Sequence, residues 1–320
     1  MSVPFAAPYN FDAPDSVMLA PGLFVPLDEA LRRRADDRKR KPGAKQSHLD
    51  LYDYLGWPIV RTGDLVGCSD GTDSKCEQAL WLFRRQVSIC GRMAAKYGQR
   101  CMLLDTNCGP GGFVWEAEFG NRYSRIPIRG TPLQFLRALA KDPSLPNWDV
   151  GFIDIQKRHC DELNQRLSDW QHSTRAPLPR TLDVIDGDNE IFAPDWVQQH
   201  FSGGERPFGF VVHDANAGID PVLVHRLGQL PQLERVDFLL YVPAAKFKWH
   251  KQDLVELLEP CGKTVWLLGP VRGHWQHLWM VGTRWKSCPD YARINFVRWD
   301  SPAGEERWSL ITRTRTERAA

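Results

Sequence analysis

The 320-residue chain contains no apolar run approaching the roughly 18 residues that a membrane-spanning helix needs. It lacks a CxxC pair among its eight cysteines. Cys68 and Cys76 enclose seven residues; a structural zinc site built on them with His48 is the minor alternative, and no metal is expected. Residues 1–31 lack a basic leader and are interrupted by Pro4, Pro8, Pro14, Pro21 and Pro26, so a secretory signal is not expected. Together these absences lead to the expectation of a cytoplasmic protein with reduced thiols and no membrane partner. Net charge is also small, at +2. That neither requires nor excludes nucleic acid, because local patches outweigh the sum. There is no internal repeat and no low-complexity tract.

What the chain has in quantity is tryptophan, at 13 residues, several beside basic residues. With 42% hydrophobic and 25% charged residues it is globular and can bury a large core. The expected organisation is a proline-rich and basic arm over 1–44, one large domain over 45–290 with an insertion at 113–130, and a C-terminal extension over 291–320. Within the arm, seven of the eleven residues 31–41 are basic. They suit either phosphate contact or a solvated linker.

Inside the large domain, apolar residues at three- and four-residue spacing predict a helix over 77–97, ended by Gly98. An apolar run, Cys101 to Leu104, follows and ends in Asp105 and a glycine cluster, Gly109, Gly111 and Gly112. Strand, acid and glycine turn is how an α/β fold brings its backbone close to a nucleotide-like ligand. The helix expected next is postponed. Residues 113–130 read as an inserted loop or lid, and Thr131-Pro132 then opens the helix, with Thr131 as its cap.

Further apolar runs end in Asp154, Asp186 and Asp214, each followed by a helical segment, and a fifth covers 236–242. The runs 264–268 and 277–283 close the series. The fold class is therefore α/β: a Rossmann-like, doubly wound, mostly parallel sheet with a terminal antiparallel hairpin and helices on both faces. In such sheets ligands bind beyond the carboxyl ends of the strands, where the four acids fall. Each acid alone could equally be a turn or helix-cap residue. Trp275, Trp279, Trp285 and Trp299 are expected to fill core or interface.

The ordered set resembles the class I S-adenosylmethionine-dependent methyltransferases. Within them it is most similar to the three-Cys-motif partner proteins. The residues that carry the resemblance are Leu104-Asp-Thr-Asn-Cys-Gly-Pro-Gly111, Gly130-Thr-Pro-Leu133, Phe152-Ile-Asp154, Ile185-Asp-Gly-Asp188 and Val212-His-Asp-Ala-Asn-Ala-Gly218. The resemblance implies S-adenosylmethionine as cofactor. Gly109 and Gly111 would admit its methionine moiety, with Asp105 and Asn107 near the amino group. Asp154 would hold the ribose. Asp186 or Asp188 would bond the adenine amine, with Ile155 or Ile185 against the ring. Asp214 and Asn216 would face the transferable methyl group. The family pattern after the fourth strand is closer to Asp-Pro-(Tyr/Phe)-Gly. Here Asp214-Ala-Asn216-Ala-Gly218 lacks the proline and aromatic that amino-methyltransferases place against a flipped base.

Basic residues interleaved with aromatics follow the fifth strand: Lys246, Lys248, Trp249 and Lys251. Such a segment can contact phosphates and stack on bases. The leading expectation is methylation of nucleic acid, most of all of DNA bases. One alternative is a nucleic-acid-binding module on a catalytically degenerate methyltransferase scaffold. Another is a Rossmann enzyme using a different nucleotide. Against the latter stands the delayed helix, because phosphate binding wants a helix N-terminus directly behind the glycines. Cys108 is expected to pack near the cofactor and not to act as a nucleophile.

Overall fold

The computed structural model describes residues 16–20, 23–26, 72–119, 122–174, 177–214, 218–243, 251–271, 277–286 and 289–312. Within 1–30, where the sequence offers no helical period, β1 (Ser16–Ala20) and β2 (Leu23–Pro26) pair antiparallel. Helix α1 (Thr72–Tyr97) begins five residues earlier than the apolar spacing predicts and ends at Gly98, whose φ is +61°. Ala79, Leu82, Phe83, Val87, Cys90 and Ala94 form its buried stripe.

Strand β3 (Cys101–Asp105) leads into the glycine turn. The residues read from sequence as a loop or lid are instead an antiparallel hairpin, β4 (Gly112–Phe119) and β5 (Arg122–Arg129). The segment is rich in aromatic and β-branched residues, which suit a pleated surface. Helix α2 (Thr131–Leu139) follows, then β6 (Trp148–Asp154), α3 (Lys157–Thr174), β7 (Thr181–Asp186) and α4 (Asn189–His200). The chain continues through β8 (Phe208–His213), α5 (Pro221–Gly228), β9 (Val236–Pro243) and α6 (Lys251–Leu258). It closes with β10 (Val265–Leu268), β11 (His277–Thr283), α7 (Pro289–Arg293), β12 (Val297–Arg298) and α8 (Pro302–Thr312).

Eight strands form one sheet in the order β12-β10-β11-β9-β8-β3-β6-β7. Neighbours from β9 through β7 are parallel, whereas β11 is antiparallel to both β9 and β10. This is the mostly parallel sheet with a terminal hairpin that the sequence implies. Alternation along β3 divides the core. Cys101 and Leu103 face a layer containing Phe83, Phe135, Leu163 and Tyr291, from α1, α2, α3 and α7. Met102 and Leu104 face a layer containing Trp196, Leu223, Leu254 and Trp308, from α4, α5, α6 and α8. Phe135, Trp148 and Phe210 meet edge to face, with centroids 5.5–5.9 Å apart. Such contacts add to plain apolar burial. Trp279 is core as expected, and Trp299 packs against Trp308, but Trp285 is 40% exposed. Trp275 lies outside the described residues.

From β3 the chain builds outward through β6 and β7, then returns to the other side of β3 with β8. Strand order reverses between β3 and β8, and the carboxyl ends of the strands flanking such a reversal are where open α/β sheets bind their ligands.

Candidate functional site

Two of the acids expected from sequence meet at this reversal. Asp105 ends β3 and Asp214 directly follows β8, and both are buried. Asp105 accepts hydrogen bonds from Thr131 Oγ1 at 2.6 Å and Asn107 N–H at 3.2 Å. Burial pushes its carboxyl up to about 7, against the two hydrogen bonds; Asp214 adds to the rise and Lys75 opposes it. Thr131 is therefore not the helix cap. Gly130 occupies the cap position, no side chain caps α2, and the Thr131 hydroxyl is committed to Asp105.

The glycine turn is held from three sides. Gly109 and Gly111 have φ of +61° and +76°, where a side chain brings strain. Gly109 N–H donates to Asp154 Oδ2 at 2.9 Å. Beneath the turn, buried Arg166 of α3 donates to the Pro110 carbonyl. Gly130 N–H donates to Gly111 O at 2.9 Å, closing the neck of the β4–β5 hairpin. The hairpin thus leaves the core and returns to the same point. Helix α2 is late in sequence but begins in space directly behind the glycines. This corrects the argument from delay: a helix N-terminus is present, and what stands against it is the Asp105 carboxyl.

Asp154 ends β6, and its carboxylate is largely engaged. Besides Gly109, it accepts from Gln156 N–H at 2.8 Å and lies 3.1 Å from His159 Nδ1. Its backbone carbonyl accepts from Gly187 N–H at 3.0 Å, which ties β6 to the turn after β7. Ile155 beside it is 71% exposed, and Ile191 and Phe192 on α4 are 52% and 40% exposed. Asp186 is exposed at the end of β7. Asp188 caps α4, accepting from Glu190 N–H at 2.9 Å. Asn189 Nδ2 donates to Thr106 O at 3.0 Å, so α4 is pinned to the end of β3.

Asp214 carries a partner that sequence reasoning missed. Lys75 Nζ, from the first turn of α1, lies 2.7 Å from Asp214 Oδ2, and both side chains are more than nine-tenths buried. The same ammonium sits 5.0 Å from the Tyr241 ring centroid, in cation–π contact. Burial is the largest influence on Lys75 and works against its charge, but Asp214, with Cys76 and Tyr241 adding to it, holds the ammonium above the ordinary lysine range. Asp214 Oδ1, by contrast, is buried without a hydrogen-bond partner among the described residues. His213 at the end of β8 is kept neutral, lowered to about 4 chiefly by burial. Its Nε2 accepts from Asp220 N–H, so the proton sits on Nδ1, toward Thr106 Oγ1 at 2.9 Å. Cys108 is buried, and burial pushes its thiol well above the usual range, which suits packing and not nucleophilic attack.

The remaining sequence candidates, Asn216, Lys246, Lys248 and Trp249, lie outside the described residues, as does the basic segment 31–41. Lys251 is the first residue of α6. A cavity of about 290 Å³ opens at the far, amino edge of the sheet among Tyr97, Phe208, Arg235 and Trp285, away from the strand-end acids.

No family model matches the chain, and no curated protein matches it in sequence. Among solved structures it is similar to a protein of Legionella pneumophila strain Philadelphia 1, at 10% identity over 71% of this chain and 91% of that one, with a TM-score of 0.45. The human methyltransferase 10 domain containing protein matches at 11% identity over 82% and 99%, with a TM-score of 0.41. The methyltransferase domain of METTL16 matches at 10% over 82% and 100%, with a TM-score of 0.43. At that distance these likenesses name no family for this chain.

Proposed function

We propose that the protein is an S-adenosylmethionine-dependent methyltransferase acting on nucleic acid. The observation that carries this reading is the buried Asp105 carboxyl at the N-terminus of α2, beside the glycine turn. A helix N-terminus behind glycines usually invites a phosphate. Here a carboxyl already stands there, bonded to Thr131. It repels a pyrophosphate and favours a ligand that brings a cation. The amino group of a methionine moiety is such a ligand, and ion pairing to it would draw the raised Asp105 back to its ionised form.

The other cofactor contacts follow the strand ends. Gly109 and Gly111 let the backbone approach the methionine moiety, with Asn107 at the turn's start. Asp154, already shaping the turn, keeps lone pairs for a ribose hydroxyl. Asp186 has a free carboxylate for the adenine amine, more so than Asp188, which caps α4. Ile155, Ile191 and Phe192 supply apolar surface for the ring. Asp214 faces the methyl group, and Asn216, two residues on in sequence, shares that role. S-adenosylmethionine supplies the electrophilic methyl; the chain aligns donor and acceptor, and alignment alone is worth roughly 7–11 kcal/mol of barrier. Lys246, Lys248, Trp249 and Lys251, which follow β9 in sequence, serve as nucleic-acid contacts. The narrower likeness to three-Cys-motif partner proteins rests on Gly130-Thr-Pro-Leu133 and its neighbours. Nothing in the described site selects DNA.

Calorimetric titration with S-adenosylmethionine tests the reading. Binding is expected in the wild type and lost in Asp154→Ala; a wild type that does not bind ends the enzyme reading. The engaged carboxylate of Asp154 keeps the second reading alive, a nucleic-acid-binding module on a degenerate scaffold. That reading expects salt-sensitive DNA binding indifferent to Asp105→Asn and Asp214→Asn.

A further inference from the structure

Lys75 places a buried ammonium where the methyl acceptor would sit, and its chemistry restricts that acceptor. The inference rests on the methyl-transfer reading above. Lys75 Nζ engages Asp214 Oδ2 at 2.7 Å, while Asp214 Oδ1 is buried with no partner among the described residues. The pair therefore offers an acceptor, Oδ1, next to a donor, since an ammonium carries three N–H groups. An amine acceptor can satisfy Oδ1 but not Lys75, because its single lone pair must point at the methyl carbon. An amine also gains positive charge as it is methylated, which a neighbouring ammonium opposes. A hydroxyl fits both halves. Its O–H donates to Oδ1, one oxygen lone pair takes a Lys75 N–H, and the other faces the methyl group.

We infer that the protein methylates a hydroxyl oxygen, with Lys75 and Asp214 as its paired catalytic residues. Among nucleic acids this points to the ribose 2′-hydroxyl, the group that separates RNA from DNA. In the step, an oxygen lone pair forms the O–CH3 bond while the S–CH3 bond breaks and its electrons go to sulfur. The hydroxyl proton passes to Asp214 Oδ1 and thence to solvent. Lys75 keeps its proton throughout and stabilises the negative charge growing on oxygen. The Tyr241 ring beneath the ammonium and the first turn of α1 fix its position. The missing proline and aromatic after Asp214 agree, since those groups hold a flipped base.

The test supplies the purified full-length protein with methyl-labelled S-adenosylmethionine and, in separate reactions, total RNA, DNA and protein from the expression host. Binding of S-adenosylhomocysteine is measured in parallel. The expected result is label in RNA, released on complete digestion as 2′-O-methylnucleosides. Transfer falls at least hundredfold in Lys75→Met, through kcat more than KM, with partial rescue in Lys75→Arg. Lys75→Met leaves Asp214 unpaired and can lose its fold. The double variant Lys75→Met/Asp214→Asn removes both charges; it should melt near the wild type, still bind S-adenosylhomocysteine, and be as inactive. Four outcomes overturn the inference in a protein that binds S-adenosylhomocysteine. They are label on a base, label in DNA or protein only, no transfer to any of the three, or a folded double variant within threefold of wild-type rate. A protein that fails to bind S-adenosylhomocysteine overturns the methyltransferase reading instead.

Discussion

The two edges of the sheet carry the same kinds of residue and use them differently. At the amino edge, Asp149 is fully buried and fully served: Arg100 Nη1 at 2.7 Å and Thr181 Oγ1 at 2.9 Å take its two oxygens. Nearby, Lys263 donates to the carbonyls of Leu233 and Glu234, and Asp237 accepts from Gln86 at 3.0 Å. At the carboxyl edge Asp214 has one oxygen paired and one orphaned, and Asp105 carries a carboxyl that burial makes reluctant to ionise. Buried polar groups are as a rule satisfied. An edge that leaves them open is shaped for something that arrives later. Gln232 Oε1, in the turn before β9, is also buried and unpaired among the described residues, so an open polar atom alone is no distinction; what sets the carboxyl edge apart is an open carboxylate oxygen beside a buried ammonium.

Substitutions can sharpen or break that contrast. Arg100→Met leaves Asp149 only Thr181 and the looser Arg180 Nη1 at 3.7 Å, and should cost up to about 3 kcal/mol in chemical denaturation, while S-adenosylhomocysteine affinity stays within twofold. A comparable loss of affinity would erase the distinction between the edges. Lys75→Met should cost about 3 kcal/mol by the same reasoning, and adding Asp214→Asn should restore most of it.

Asp105→Asn has an effect that depends on pH. Because the folded carboxyl is raised to about 7, the folded protein retains a proton that the unfolded chain releases above about 4. The stability from this group is complete below about 4 and drains away as pH rises to about 7. Asp105→Asn should therefore gain roughly 4 kcal/mol over the wild type at pH 8, about three pKa units at about 1.4 kcal/mol each, and nothing at pH 4, read from melting curves at the two pH values. It should also weaken S-adenosylhomocysteine binding most at the higher pH, where the wild-type carboxylate is available to an ammonium. Smallest is Gly111→Ala, at about 1 kcal/mol, from its positive φ and a Cβ that would lie 2.5 Å from Leu163 Cδ1. Gly91→Ala makes a control on α1, where Ser144 lies 2.5 Å from the added Cβ but no glycine turn is disturbed.

The strand-end acids were legible in sequence because a short apolar run closed by Asp has few other meanings in an alternating α/β pattern. Asp105, Asp154, Asp186 and Asp214 all stand where the pattern puts them, as does the antiparallel close of the sheet. The hairpin was legible but outweighed by the expectation of a helix behind the glycines. Trp115, Ala117 and Phe119 alternate with Glu116 and Glu118, and Gly120-Asn121 is a two-residue pair of the kind that joins hairpin strands. Lys75 was missed for a different reason. The apolar stripe was counted from Ala79, and a lysine ahead of it reads as a solvated helix end. Its spacing held the signal: Lys75, Ala79 and Phe83 are four residues apart and share the inward face of α1. Thr131 misled because Thr followed by Pro is a helix-start signature, and only the packing shows its hydroxyl turned to Asp105.

The hairpin's neck has a bearing on how this protein can change. Gly111 and Gly130 are bonded to each other, and a Cβ on Gly130 would come within 3.0 Å of the Gly111 backbone. Everything between them begins and ends at one point. Its length and sequence are therefore uncoupled from the spacing of Asp105 and Thr131. The two strands form an excursion from one neck, and β5 lies against β1 and α1 as well, so a change in the hairpin is felt through those contacts and not through the spacing of the strand-end residues.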